Sequence, residues 1–359
     1  MRRVNLWLTL ILIPVVVMLF GGCRANFEHF GEFNIKYLED GCRVTSDGIG
    51  RKLLLVPRGQ EGPPGYKGME KVKIPVKGVV IYSTTDAARL KALGVAGSIV
   101  GVTTRKKDWH IPEIRKGMEE GRVVFIGEYK SIDYEKLKVI KPDVVFTWDE
   151  GIIPKLEELG IPCVITSTKI AKDLSGHIGF IRFLSAFFGE EKKAKAFVKK
   201  QFERIDEIVA KTARAKKGLT AVWGDIYERK VLVEPGKSWP AQIVDKGGGN
   251  YIFHDLEGAS CMEVTLEKFF SRTKDADILI TYRGPENGIK SKRELRQSSR
   301  LLQTVDIKPM KGGKIYFTGY KLSQSADTAG IVGELASIFH PGLFPGNNKP
   351  EYFFELTDK

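Results

Sequence analysis

Apolar and polar positions change rhythm several times along the chain. Within residues 24–75, "FNIKYL", "CRVTS" and "KLLLVP" alternate or run apolar and are β-branched enough to predict strands. "RGQEGPPGYKG", dense in Gly and Pro, predicts a loop. From Val76 the text becomes α/β. "GVVIYST", "SIVGVT", "VVFIG", "PDVVFTW" and "PCVITS" read as short buried strands, and "TDAARLKALG", "DYEKLKVI" and "GIIPKLEELG" read as the helices between them. Residues 169–217 show no strand pattern. There Ala194, Phe197, Val198, Phe202, Ile205, Ile208 and Val209 recur at spacings of three and four, which predicts one amphipathic helix of about six turns. After Lys217 the alternation restarts with "LTAVWG", "KVLVEP", "DADILITY" and "GKIYFTG". Strands and helices joined by short connections predict parallel sheets covered on both faces.

One phrase occurs twice. "SIDYEKLKVIKPDVVFTW" (Ser131–Trp148) and "TLEKFFSRTKDADILITY" (Thr265–Tyr282) each place Glu-Lys on a short amphipathic stretch. A charged turn with an Asp and an apolar run ending in Thr plus an aromatic then follow in each. The echo falls once on each side of the long helix.

The first residues read as an export signal. Arg2 and Arg3 precede an apolar stretch from Leu6 to Phe20, which is short for a membrane span of ~20 residues. The stretch ends in Leu-Phe-Gly-Gly-Cys at Cys23, which resembles the bacterial lipobox, whose Cys carries the lipid. An uncleaved anchor is the other reading. Either one expects the mature protein outside the cytoplasmic membrane. With Cys23 lipidated, Cys42, Cys163 and Cys261 remain, and none forms a Cys-x-x-Cys pair. Buried thiols are expected of them, although one disulfide is compatible with the compartment.

Composition adds charge to this picture. Removing residues 1–22, which hold two Arg and no acid, lowers the formal charge from +13 to +11. That balance suits an anionic ligand or an anionic membrane surface. Basic residues are scattered rather than striped among aromatics, so nucleic acid is not an expected partner.

The order of segments resembles the class III periplasmic binding proteins of ABC importers, which serve ferric siderophores, haem and cobalamin. "VVIYSTTDAARLKALG", "IDYEKLKVIKPDVVFTW" and "EPGKSWPAQIVDKGGGNYIF" carry the resemblance, over roughly residues 76–345. It implies two Rossmann-like α/β lobes joined by a single long helix, here with a small N-terminal β-rich appendage, and a ligand in the cleft between the lobes. The expected division is a signal peptide (1–22), an appendage (23–75), a first lobe (76–168), a helical connector (169–217), a second lobe (218–345) and a C-terminal tail (346–359). The family presents one Glu from each lobe to arginines of a two-subunit permease, and Glu135 and Glu267 sit at the matching positions. Each also favours the N-terminus of its own helix, by ~0.3–1 kcal/mol.

Ligands of open α/β sheets bind beyond the carboxyl ends of the strands. The candidates there are Thr84, Thr85, Trp109, Tyr129 and Trp148 in the first lobe, and Trp223, Tyr227, Trp239, Tyr282, Arg283 and Tyr320 in the second. Rings offer contact area and Arg meets carboxylate or catecholate oxygens, which fits a large, partly flat ligand with anionic edges. Trp148 and Tyr282 stand out because they close the echoed strands.

Enzymatic leads fail. "EPGKSW" ends like a phosphate loop, but the required Gly is Val231. The five histidines never fall at metal-ligand spacing. The expectation is a monomeric solute-binding lipoprotein, not an enzyme, without cofactor or bound metal of its own. It would carry a ferric siderophore or similar iron chelate to an ABC permease dimer. A haem or corrinoid cargo is the alternative, and an extracytoplasmic enzyme or sensor on the same scaffold is the other class.

Overall fold

The computed structural model describes residues 27–167, 173–215, 218–228, 230–258, 260–304, 306–345 and 349–358. The signal segment and Cys23 lie outside the described residues. Among the described residues no helix is long and apolar enough to cross a membrane.

The first sheet joins β1 (Phe27–Phe30), β2 (Phe33–Tyr37), β3 (Arg43–Ser46), β4 (Lys52–Pro57) and β5 (Lys71–Ile74) in that order. The first four pair antiparallel and β5 joins β4 in parallel. "KLLLVP" runs apolar because β4 is buried on both faces. Leu53 and Leu55 join Phe33 and Ile35 in the core shared with the first lobe. Leu54 and Val56 pack with Cys42 under Tyr66 and Met69 from the Gly/Pro loop. The β3–β4 turn then covers a strand edge of the first lobe, β10 (Cys163–Ile165). The Asp47 carboxylate accepts the Ile165 N–H at 3.1 Å, and the Gly48 N–H donates to the Ile165 carbonyl at 3.0 Å. A Cβ on Gly48 would stand 2.1 Å from the Ser167 carbonyl oxygen, so this approach requires glycine. The appendage thus closes an edge that would otherwise be open to pairing.

The first lobe's sheet adds β6 (Val79–Ile81), β7 (Ile99–Val102), β8 (Val124–Phe125) and β9 (Val144–Thr147). Its order is β10-β9-β6-β7-β8 and every pairing is parallel. The chain first winds outward from β6 through β7 to β8, then returns to β9 on the other side of β6. The crevice at that reversal, beyond the ends of β6 and β9, is where ligands of such sheets lie.

The second lobe contains β11 (Thr220–Ile226), β12 (Val231–Val233), β13 (Asn250–Tyr251), β14 (Met262–Val264), β15 (Ile278–Thr281), β16 (Lys314–Thr318) and β17 (Phe353–Glu355). The order is β14-β12-β11-β15-β16-β17, with β13 beside β11. This sheet is mixed, not wholly parallel as the alternation predicts. β12 returns antiparallel to β11 across a turn closed by the Tyr227 N–H on the Lys230 carbonyl at 2.9 Å, too short for a crossover. Part of the segment read as a C-terminal tail forms β17, antiparallel to β16. The Glu334 carboxylate holds it by accepting the N–H groups of Glu351, Tyr352 and Phe353, the last at 2.8 Å.

The helix Glu191–Thr212 joins the lobes. Ala194 and Phe197 pack into the first lobe's core, whereas Phe202, Ile205, Ile208 and Val209 pack into the second's. Gln201, near its middle, accepts the Ala329 N–H at 2.7 Å, and Arg204 pairs with Asp327. One rod therefore belongs to both cores, the arrangement that limits such lobes to modest relative motion.

Candidate functional site

The two echoed phrases fold alike. Asp143, before β9, accepts the N–H groups of Lys77 (2.7 Å) and Gly78 (3.1 Å) where the chain enters β6. Asp277, before β15, accepts the N–H and hydroxyl of Thr220, both at 2.8 Å, at the start of β11. At the far ends, Thr147 Oγ1 accepts the Asp149 N–H at 3.0 Å and Thr281 Oγ1 accepts the Arg283 N–H at 3.1 Å. These matching turns push Trp148 and Tyr282 out of their sheets, 39% and 37% exposed.

Both rings line one compartment of the interlobe cleft, about 390 Å³, together with Thr85 and Trp239. A second compartment of about 560 Å³ is lined by Thr84, Tyr129 and Tyr320 among others. Ser323 borders both, and the Thr84 hydroxyl donates to its oxygen at 3.1 Å across the lobes. Gln324 ties the lobes further, donating to the Asp108 carbonyl (2.7 Å) and accepting the His110 N–H (2.6 Å). Tyr129 and Trp148 stack obliquely at 4.9 Å, which joins the aromatic surfaces of the two compartments. The Tyr282 hydroxyl donates to Glu234 at 2.9 Å. Burial and the Glu234 charge raise its pKa well above the usual phenol value, so it remains a donor.

Four candidates stand apart from these two compartments. Trp223 is fully buried, behind Tyr282 (5.6 Å) and Trp239 (6.3 Å), because β11 continues past it to Ile226. It backs the cleft wall without facing the ligand space. Trp109 is buried in the first lobe, its indole N–H on the Thr104 carbonyl at 3.1 Å. Arg283 donates to the Ile226 carbonyl at 2.8 Å and lies over the Tyr227 ring at 5.3 Å. Neither Arg283 nor Tyr227 is among the residues lining these two compartments; each faces the other beside the hairpin.

Sequence reasoning missed the charged floor of the smaller compartment. In the helix Thr84–Ala92, Arg89 pairs with Asp86 at 3.0 Å, and the Thr166 hydroxyl donates to Asp86 at 2.7 Å. Burial raises the Asp86 carboxyl and lowers the Arg89 guanidinium, each opposed by the other's charge. Their i,i+3 spacing after a strand end was the available signal. Arg89 also donates to the His177 carbonyl at 3.1 Å. The His177 ring lies flat on Trp239, centroids 4.2 Å apart and planes 13° apart. Burial, then the Arg89 charge, holds His177 well below the usual imidazole pKa. In the larger compartment Arg105 pairs with Glu128 at 2.5 Å, 23 residues away and without a local pattern to announce it. No group of three or more His, Cys, Asp or Glu able to hold a metal ion occurs among the described residues. Cys42, Cys163 and Cys261 are free thiols, the first two buried and the third exposed.

Glu135 and Glu267 are each the second residue of a helix, Tyr134–Ile140 and Leu266–Thr273, capped by Asp133 and Thr265. Both are exposed. Glu135 pairs with Lys138 at 2.7 Å. Each helix starts after the carboxyl end of a strand, β8 or β14, which is the cleft side of its lobe.

A family model described as periplasmic binding protein matches residues 79–319. The chain is 25% identical over 332 residues to an uncharacterised lipoprotein of Methanocaldococcus jannaschii, covering 88% of this chain and 78% of that one. It is 22% identical over 219 residues to a vitamin B12-binding protein of Vibrio vulnificus, covering 60% of this chain and 75% of the relative. A periplasmic heme-binding protein from Pseudomonas aeruginosa superposes with a TM-score of 0.60 over 79% of this chain and 99% of that one, at 13% identity, a likeness of fold.

Proposed function

The chain belongs to the periplasmic binding protein family, and from that premise we propose an extracytoplasmic lipoprotein that captures a metal complex between its lobes for an ABC permease. Cys23 carries the lipid, and Glu135 and Glu267 meet the two permease subunits. The observation that carries the cargo reading is the pairing of Trp148 and Tyr282, which leave equivalent strands of the two lobes and line one compartment. Flat aromatic walls from both sides suit a large, partly planar ligand.

Within that reading the cleft's charges favour a corrinoid over a polyanionic ferric siderophore. The iron-chelate reading leans on the +11 of the mature chain. The cleft does not share that excess: Arg89 is matched by Asp86 and Arg105 by Glu128. Asp108 and Glu286 add acid to the larger compartment, and Lys107 is its cation without a carboxylate partner among the described residues. A ligand bearing several negative charges would have to displace these carboxylates or be buried beside them, at a cost of several kcal/mol. A complex with little net charge and many hydrogen-bonding edges meets no such penalty. The similarity to vitamin B12-binding proteins supports the same choice.

The test is calorimetric titration of the purified chain with cyanocobalamin, haemin and a ferric tricatecholate. The expected order places cyanocobalamin ahead of the tricatecholate. Tighter binding of the tricatecholate returns the cargo to the iron-chelate reading, and no binding of any of the three removes the metal-complex reading.

A further inference from the structure

The tether from the lipid proposed at Cys23 is short. Three residues separate Cys23 from Phe27, the first residue of β1, so the two α-carbons lie at most about 14 Å apart. The register of the appendage says which end of the lobe this holds. Phe27 pairs with Lys36, and Tyr37 pairs with Arg43. Arg43 donates to the Ala186 carbonyl at 2.8 Å and pairs with Glu191 at 2.5 Å, where the connecting helix begins. Beside it the Val76 N–H, just before β6, donates to the Phe187 carbonyl at 2.9 Å. This is the amino end of the first lobe's strands. The other end of the appendage carries the turn at Asp47 and Gly48, set against Ile165 and Ser167, and Ser167 lines the smaller compartment. Anchor and cleft therefore lie at opposite ends of the first lobe.

The surface beside the anchor is basic. Glu28, next to Phe27, pairs with Arg182 at 2.8 Å and with Lys195 of the connecting helix at 3.2 Å. Lys192, Lys195 and Lys199 follow one another along one exposed face of that helix, with Lys200 at its flank. Lys192 and Lys200 have no ion-pair partner among the described residues. Further along, the exposed Glu203, Asp206 and Glu207 make the helix acidic towards the second lobe. A helix dipole favours acids first and bases last, so the helix itself does not reward this order. Phe27 is 51% exposed, an aromatic ring at the point where the chain meets the lipid.

We infer that this face, β1 with the first half of the connecting helix, rests on anionic phospholipid headgroups of the membrane that holds the lipid. The inference rests on the lipid at Cys23. The tether keeps the lysines near the headgroups, where their attraction is not lost to screening as it is beyond about 10 Å. In this position the cleft opens away from the membrane, towards the solution from which ligand comes. Glu135 and Glu267 lie on the cleft side, so resting on the membrane and docking on a permease exclude each other. Docking requires the face to lift off. β1, four residues long and paired only with β2 among the described residues, is the strand whose release lengthens the tether.

The experiment uses the full lipidated chain, reconstituted in vesicles of phosphatidylcholine with or without phosphatidylglycerol. Lysine acylation by an N-hydroxysuccinimide ester is followed residue by residue by mass spectrometry. Lys192, Lys195 and Lys199 are expected to react about threefold more slowly, or slower still, on the anionic vesicles, and high salt should abolish the difference. Lys107 and Lys130, at the larger compartment and beside Tyr129, should react alike on both. Lys192→Glu combined with Lys199→Glu should remove the slowing at Lys195 while circular dichroism shows the fold retained. Equal rates at the three lysines on both vesicles, or slowing at Lys107 and Lys130 instead, overturn the inference and leave the lipid reading standing. The mass of the N-terminal peptide tests the lipid separately, and a peptide without lipid overturns both.

Discussion

Replacing Trp148 by Ala separates the ligand wall from the fold behind it. A tryptophan offers at most about 250 Å² of surface, and the 39% still exposed leaves roughly 100 Å² for a ligand to cover. At ~25 cal/mol per Å² that is up to about 2.5 kcal/mol, or about sixtyfold in affinity. Part of this is offset by ordering the ligand against the ring, so a loss of about ten- to sixtyfold is expected. The folded state gives up the other roughly 150 Å² of the ring, part of it against Tyr129 at 4.9 Å, which by the same area arithmetic and a compact unfolded state is about 2–3 kcal/mol. Trp223→Ala provides the contrast. That ring is fully buried among Tyr282, Trp239 and Phe353, and its removal should cost about 3–5 kcal/mol of stability. The assay is isothermal titration with whichever of cyanocobalamin, haemin or a ferric tricatecholate binds the wild type, paired with denaturant unfolding. If Trp148→Ala unfolds as easily as Trp223→Ala while keeping its affinity, the ring belongs to the core and the account of the cleft is wrong.

Under the docking proposal, Glu135→Lys and Glu267→Lys should each lower uptake in cells without changing ligand affinity, and the double variant should be lower still; wild-type uptake by the double variant refutes symmetric docking. Cys23→Ala should lose lipid label and leave the membrane fraction, and label that persists refutes lipidation at Cys23. Asp327 provides a pH test. Burial pushes its carboxyl up, but hydrogen bonds from Arg204, Gln201 and the Gly330 N–H outweigh this and hold it below the ordinary carboxylate value. A depressed folded pKa stabilises above the unfolded pKa of ~3.9 and loses that contribution as pH falls through the folded value. The pair is partly exposed, so the stability gap between wild type and Asp327→Asn should be about 1 kcal/mol near neutrality and shrink on acidification below pH ~4. A gap constant with pH in denaturant titrations contradicts the assignment.

The legible parts of the chain were those in which a short-range period dictates burial. The three-and-four spacing from Ala194 to Val209 reads directly as the connecting helix, whereas the division of its apolar face between two cores is visible only in the structure. The parts that misled were decided by where a strand stops. Gly224 looks like the end of "LTAVWG", but β11 continues through Asp225 and Ile226, which moves Trp223 inside and gives Arg283 a backbone carbonyl to bind. Charge reads differently at the two levels. Net charge is a sum over the surface, whereas the cleft's balance comes from pairs such as Arg105 with Glu128, set by folding rather than by spacing. His177 had no sequence signal, because its place in the compartment comes from the Trp239 face beneath it, 62 positions away.

The repetition can now be divided between what each lobe needs for itself and what it does not. The repeated Asp is accounted for: Asp143 and Asp277 fasten a later strand to the first strand of their lobe. So is the repeated Thr, which closes the turn after β9 or β15 and sends an aromatic ring into the cleft. The repeated Glu is different. Glu135 touches Lys138 at the surface, an exposed i,i+3 pair that solvent screens. Glu267 has no ion-pair partner among the described residues. A helix N-terminus rewards a carboxylate, but Asp133 and Thr265 already cap the two helices, and a shorter Asp would satisfy the same dipole. Nothing inside either lobe requires a long carboxylate at this position. The same dispensable side chain at the same place on the cleft side of both lobes is what a constraint from outside the lobes would produce. A two-fold partner across the cleft mouth would supply such a constraint, and this is the physical argument behind the proposal that Glu135 and Glu267 dock the permease.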